Sequence, residues 1–378
     1  MTPPTRNDPQ KAGGSGALGS QPHAHSDATG RGMSLDPAGR LVSAVRYRQA
    51  TMRDVAQVAG VSLKTVSRVV NMEASVRPEM ERRVEDAIVA LGFRRNVAAR
   101  SLRTGGRIGS IGLIVADLMN PFYSGVAKAV EGVAERHKAM IIIGSSEENA
   151  ARERELVMNL LRRPVDGLIV VPAGDDHRYL EPERRRGAEV VFLDRSGGNI
   201  EADAVVIDNF GGARRAVDHL IRRGHKRIGF VGDSPTVRTA VERLAGYTSA
   251  LADAGIPYQE ELVRLASPAV EMAETAAGQL LDLENRVTAI FAANNRQCVG
   301  VLRALRSCDR RIAVVGFDDF ELADLLPTPV SVIAYDPAEL GRAAAELLFS
   351  RMAGDTRPPQ RIVIPTRLIQ RGSGEIPA

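Results

Sequence analysis

Several polar residues close apolar runs in a way that suits recognition of a hydroxyl-rich molecule. Asp117, Asn120 and Phe122 follow the run IGSIGLIVA (108–116), and Asp194 closes EVVFLD (189–194) just ahead of Arg195. Asn294 closes TAIFAAN (288–294), Asp318 closes IAVVGFD (312–318), and Arg243 opens the helix RLAGY (243–247). Carboxylates and guanidiniums each form paired hydrogen bonds with vicinal hydroxyls, and an aromatic ring covers an apolar face. Taken singly, each Asp or Asn equally suits the cap of a following helix.

A second set lies nearer the N-terminus. Lys64 can donate to guanine O6 and N7, Arg68 can do so bidentately, and Leu63 offers contact to a thymine methyl. Thr51, Ser62, Thr65, Ser67 and Asn71 suit phosphate oxygens, contacts that fix register without reading sequence. Thr65 and Ser67 would also simply solvate a short helix.

These residues need elements to hold them. Thr51 to Asp54 has capping-box spacing, and Val55, Ala56 and Ala59 mark one apolar face behind it. Gly60 ends that helix and Ser62 caps a second, whose inward face is Val66, Val69 and Val70. Two helices of about eight residues joined by Ala59–Ser62 have helix-turn-helix spacing, which sends the start of the second helix into the major groove. Pro78 opens a third helix with the stripe Val84, Ala87, Ile88 and Leu91, stopped by Gly92. Beyond Arg107, seven apolar strands (the four runs above with MIIIGSS at 140–146, GLIVVPA at 167–173 and RIGFVG at 227–232) alternate with amphipathic stretches of 12–18 residues. That is the βαβ pattern of parallel sheets, and nearly 270 residues of it predict two α/β lobes with a cleft at the strand ends.

Composition narrows the function. Two cysteines among 378 residues exclude a disulfide scaffold. No apolar run approaches the roughly 18 residues of a membrane helix, and the start lacks a signal-peptide pattern. The net charge of +4 is uneven: residues 1–50 carry +3, residues 51–107 carry +5 and the remainder −4. A basic front on an acidic body suits a polyanionic partner. P-loop, HExxH and GxSxG motifs are missing, so no catalytic constellation is expected. Cys298, early in a helix without a sequence-local base, reads as a packing residue.

The run MRDVAQVAGVSLKTVSRVVN (52–71), FRRNVAARSLRTG (93–105) and the α/β body resemble the LacI (lactose/galactose repressor) family of transcription regulators over about residues 51 to 371. NPF (120–122), LDR (193–195), GHKRIGFVG (224–232) and VVGFDD (314–319) agree with it. The resemblance implies an N-terminal all-α helix-turn-helix DNA-binding domain plus an α/β two-lobed periplasmic-binding-protein-like effector domain. The boundaries expected are a disordered tail at 1–50, the helix-turn-helix domain at 51–95, a hinge helix and linker at 96–106, and a two-lobed effector-binding and dimerisation domain at 107–372. It further implies a sequence-specific repressor, a cytoplasmic homodimer on pseudo-palindromic double-stranded operator DNA. A small-molecule effector between the lobes, a sugar or sugar derivative, would control operator affinity as inducer or corepressor. No cofactor, metal ion, membrane or enzymatic activity is implied.

Residue by residue, the family's operator preference falls on Leu63 and Lys64. Residues 96–103 are too short for a stable isolated helix; the family orders this segment on DNA, with Asn96 opening it. Leu102 matches the leucine wedged into the minor groove, and Ala99 a small residue on the same face. Effector positions match Asp117, Asn120, Phe122, Asp194, Arg243, Asn294 and Asp318. Four departures stand out. Arg95 replaces the usual Pro, Asn294-Asn295 replaces Asn-Asp, Ala334-Tyr335 replaces Gln or Arg-Gln, and LASPAVEMAE (265–274) lacks an aromatic. Tyr335 would supply the missing aromatic face to an unusual sugar, a derivative or a non-sugar such as a purine. A transport receptor would share the body but have no use for residues 51–107, and an α/β enzyme would show turnover.

Overall fold

The computed structural model describes residues 33–35, 41–43, 50–73, 76–93, 109–163, 165–267 and 269–378. The chain divides into two compact units, Met1–Arg95 and Asn96–Ala378.

In the first unit, strand β1 (Met33–Leu35) pairs antiparallel with β2 (Leu41–Ser43). Both lie within residues 1–50, expected from composition to be a disordered tail, and the other residues before 50 lie outside those described. Helix α1 (Met52–Ala59) starts with the expected capping box: the Thr51 N–H donates to Asp54 Oδ2 at 2.7 Å and the Asp54 N–H to Thr51 Oγ1 at 3.4 Å. Gly60 ends it at φ 61°, where an L side chain would be strained. Helix α2 (Leu63–Val70) is capped by Ser62, whose hydroxyl accepts from the Thr65 N–H at 3.1 Å, and α3 (Pro78–Leu91) begins on proline and stops at Gly92. Val55, Ala56, Ala59, Val66, Val69, Val84 and Ala87 are buried together. Small side chains on facing helices let three short elements approach closely enough to exclude water.

The second unit holds two six-stranded sheets. One contains β3 (Ser110–Val115), β4 (Met140–Ser145), β5 (Gly167–Val170), β6 (Glu189–Asp194), β7 (Asp203–Ile207) and β13 (Arg361–Ile364) in the order β13-β7-β6-β5-β3-β4, all parallel. The other contains β8 (Ile228–Gly232), β9 (Val263–Leu265), β10 (Ala289–Ala292), β11 (Ala313–Phe317), β12 (Ser331–Ala334) and β14 (Arg367–Ile369) in the matching order β14-β12-β11-β10-β8-β9. Only β14 runs antiparallel to its neighbour. Helices α4 (Pro121–Arg136), α5 (Ala150–Leu161) and the short α6 (Glu181–Arg185) follow strands of the first lobe. Helices α7 (Asn209–Arg222), α8 (Arg238–Asp253), α9 (Val270–Leu281) and α10 (Asn295–Leu305) belong to the second. Helix α11 (Pro337–Met352) follows β12 yet packs on α4, β5, β6 and β7, back on the first lobe. The chain therefore crosses between lobes three times, at 207–209, 334–337 and 364–367. Of these strands, β7, β9, β12, β13 and β14 were not among those expected from sequence. They are three to five residues long, too short for periodicity to separate from a loop.

Candidate DNA-reading surface and ligand cleft

In the first unit two of the three predicted base-reading positions stand clear. Leu63 is 44% exposed and Lys64 is exposed beside it, both in the opening turn of α2. Arg68, one turn on, is half-buried with Nε 3.8 Å from Glu73. Thr51 and Ser62 cap the two helices, Thr65 Oγ1 lies 2.9 Å from the Ser62 hydroxyl, and the Asn71 amide donates to Ser67 Oγ at 3.4 Å. Each phosphate candidate thus has a local partner, and Thr51, Ser62 and Thr65 sit at helix N-termini, where backbone N–H groups favour anions. Asn96, Ala99 and Leu102 lie outside the described residues.

In the second unit Asp117, Asn120, Phe122, Asp194, Arg243, Asn294, Asp318 and Tyr335 all line one cavity of about 210 Å³. It opens where the strands of both sheets end, which is where a βαβ layer leaves its loops. Several of the polar side chains also serve their loops. Asp117 Oδ1 accepts from the Met119 N–H at 2.8 Å, Asn120 caps α4 through the Phe122 N–H, and Asn294 caps α10 through the Gln297 N–H. Arg243 does not open its helix: α8 begins at Arg238, and Arg243 lies in its second turn. The preceding TVRTAVE stretch has no proline or cap of its own, so the boundary was not visible.

Arg243 is 5% exposed and fully engaged. Its Nε donates to Asn209 Oδ1 at 2.9 Å, Nη1 to the Ala293 carbonyl at 2.5 Å, and Nη1 and Nη2 reach Asp318 at 3.4 and 3.5 Å. The guanidinium carbon lies 3.8 Å from the Phe317 ring centre. Burial opposes its charge, but Asp318 and other neighbouring acids outweigh that and raise its pKa. The Tyr335 hydroxyl donates to Asp318 Oδ1 at 3.0 Å, and its ring meets Phe122 edge-on at 5.9 Å. Burial first, then nearby carboxylates, holds the Tyr123 and Tyr335 hydroxyls well above the ordinary phenol value. Burial likewise pushes the Asp194 carboxyl up to about 6, against the pull of Arg195 and Arg243. Arg195 Nη1 and Nη2 each bind Glu148 at 2.6 Å.

Among the described residues, two polar side-chain contacts bridge the lobes directly. The Asn295 amide donates to Asn120 Oδ1 at 2.9 Å, and Arg296 pairs with Asp117. Both donors sit in the first turn of α10, beyond the residues predicted. Sequence reasoning also passed over Glu147, Glu148 and Asp233, which line the cavity. The strand-end rule would have found them, because they follow MIIIGSS and RIGFVG just as Asp117 follows its own strand. Arg296 carried no such signal, since its reach across the cleft is tertiary. Cys298 is fully buried and its thiol is pushed up to about 12 by that burial, the state of a packing residue rather than a nucleophile.

A helical head with an exposed second helix, on a chain whose body frames a polar cavity between two sheets, defines a DNA-binding transcription regulator with a ligand-binding body. The model for bacterial regulatory proteins of the lacI family matches residues 51–96, and that for the periplasmic binding protein-like domain matches residues 217–374. The chain belongs to the LacI family of bacterial regulatory proteins. It is 33% identical to the HTH-type transcriptional regulator GalS of Salmonella typhimurium over 308 residues, 80% of this chain and 90% of that one. The structure of a transcriptional regulator CelR–cellobiose complex aligns with TM-score 0.65 and 31% identity, over 86% of this chain and all of the other. That of the lac repressor dimer bound to operator and an anti-inducer aligns with TM-score 0.74 and 27% identity, over 86% and 99%. These relatives are transcriptional regulators. Among the described residues, no helix is long and apolar enough to cross a membrane.

Proposed function

We propose that the protein is a cytoplasmic repressor that binds a pseudo-palindromic operator as a homodimer and changes its hold on that DNA when a sugar or sugar derivative occupies the cleft. One observation carries the reading: the seven residues that match the family's effector positions, with Tyr335, line a single cavity between the lobes. Relatives described as bound to cellobiose, or as a dimer on operator, support it. Leu63, Lys64 and Arg68 read bases, while Thr51, Ser62, Thr65, Ser67 and Asn71 hold phosphates. Asn96, Ala99 and Leu102 form the hinge that wedges the operator centre. The protein regulates rather than turns over its ligand.

Selection of bound duplexes from a random-sequence pool gives the operator, and fluorescence anisotropy with and without a sugar panel gives the coupling. A pseudo-palindromic site whose affinity shifts with sugar is the expected result, and the direction of the shift tells inducer from corepressor. Linkage requires operator to change sugar affinity by the same factor. Sugar binding that is identical with and without operator overturns the proposal. Leu102→Ala abolishes operator bending while the head still folds.

A further inference from the structure

Asp194 is the least satisfied charge in the cleft. Its side chain is 6% exposed, and its carboxylate accepts no hydrogen bond from any described residue. The nearest cation is Arg195 Nε at 3.4 Å, and both terminal nitrogens of that guanidinium are committed to Glu148. The other two guanidiniums on the cavity are also taken, Arg243 by Asp318 and Arg296 by Asp117. Asp233 accepts amides from Asn294 and Gln297 at 2.6 Å each and forms no ion pair among the described residues. Six carboxylates thus surround about 210 Å³ with three guanidiniums among them, and a fourth, Arg152, pairs with Glu147 from outside the lining at 2.8 Å.

Ligand chemistry follows from this imbalance. An anionic molecule finds no uncommitted guanidinium and meets the excess negative charge. A neutral polyol offers Asp194 hydroxyl donors but leaves its net charge unbalanced in a poorly solvated site. A molecule carrying its own positive charge gives Asp194 a charge-assisted donor and can lay an apolar edge or cation against Phe122 and Tyr335. Among the described residues, no three acidic, histidine or cysteine side chains are placed to hold a metal ion, so the charge belongs to the ligand.

We infer that the effector carries a protonated nitrogen, as in an amino sugar or a like aminated polyol, and that Asp194 holds that nitrogen. This rests on the cleft being the effector site. Calorimetry on the full-length protein with glucosamine and glucose, galactosamine and galactose, mannosamine and mannose, and glucuronate as the anion, tests it. At least one amino sugar should bind about tenfold or more tighter than its parent, with glucuronate weaker than either. Asp194→Asn should bring that preference below about twofold, and Asp233→Asn should lower it if the first variant does not fold. A parent sugar or glucuronate binding as tightly as the amine overturns the inference while leaving the cleft as the effector site. Binding of no member of the panel also overturns it, and the effector site is then judged by the operator titration.

Discussion

Asp194 and Asp318 occupy equivalent places in the two lobes with the same uncommon backbone, φ 66° at one and 68° at the other. Each sits at the end of the third strand inward from its sheet's β4 or β9 edge, β6 in one lobe and β11 in the other. Left-handed backbone at a non-glycine residue costs of the order of 1 kcal/mol or more and persists where the surroundings impose it. Here it turns a carboxylate from the strand into the cleft. The partners differ: Asp318 is held by Tyr335 and Arg243, whereas Asp194 has only the side approach of Arg195. The duplicated fold supplies two matching acids, and only one is left for a ligand to satisfy.

That asymmetry has a pH signature. Burial raises Asp194 to about 6, above the roughly 3.9 of an unfolded aspartate. Between those values the folded chain binds more protons than the unfolded one, so this group makes stability fall as pH rises from about 4 to about 6. Arg195 and Arg243 oppose the shift, and Asp318 and Glu148 add to it. Asp194→Asn should therefore be more stable than the parent at pH 8, by about 3 kcal/mol at most, with the gain shrinking toward pH 4. Urea unfolding at both pH values checks this; an equal gain at the two would disprove the assignment.

Asn295 occupies a position where the family usually has Asp, and its amide donates across the cleft to Asn120 Oδ1. Asn295→Asp replaces that donor with an acceptor facing an acceptor. Losing one such bond costs about 1 kcal/mol, roughly a fivefold shift from closed toward open lobes. Small-angle scattering should show a larger radius of gyration for the variant without ligand, and ligand affinity should fall by a similar factor. Unchanged scattering and affinity would show that the contact does not hold the lobes together.

Lys64 stands exposed at the start of α2. On the selected operator, Lys64→Ala should cost about 1–3 kcal/mol and erase discrimination at one base pair of each half-site. Ser62→Ala should instead weaken binding to all sequences alike, and also loosen α2 by about 1 kcal/mol through loss of its cap. Anisotropy against single-base variants of the operator separates the two patterns.

Gly341 lies within α11, where alanine would ordinarily help by about 0.5–1 kcal/mol. A Cβ there would come 2.6 Å from the Val126 carbonyl oxygen and 3.1 Å from Ala129 Cβ, both on α4. Gly341→Ala should thus destabilise the body by about 1–3 kcal/mol, the cost of overpacking a fixed backbone contact. A raised midpoint in thermal unfolding would contradict this close approach.

Long runs made the fold legible in sequence. The strands buried on both faces read as continuous apolar stretches, and the caps at Thr51 and Ser62 and the stops at Gly60 and Gly92 follow from local chemistry alone. The short strands β7, β9, β12, β13 and β14 carried too few residues to announce themselves. In the cleft, strand-end polar residues were visible individually, but their ion pairs were not. That Arg243 spends its donors on Asn209, Ala293 and Asp318 depends on packing between α7, α8 and the strand ends. Arg296 and Asn295 bridge residues about 175 apart in sequence, a separation over which local pattern says nothing.

The return of the chain to the first lobe bears on how it can be made. Leu340, Ala344, Ala345 and Leu348 on α11 are buried against the first lobe, and β13 completes its sheet from residues 361–364. The second lobe, apart from β14 and the C-terminal turn Ser373–Glu375, is synthesised before β13 arrives, and residues 208–336 of it precede α11. During translation the first lobe must therefore wait with an apolar sheet face and an unpaired β7 edge bare while most of its neighbour emerges. The interval between about residue 207 and residue 364 is the span over which a nascent chain of this protein is exposed to aggregation and to chaperones.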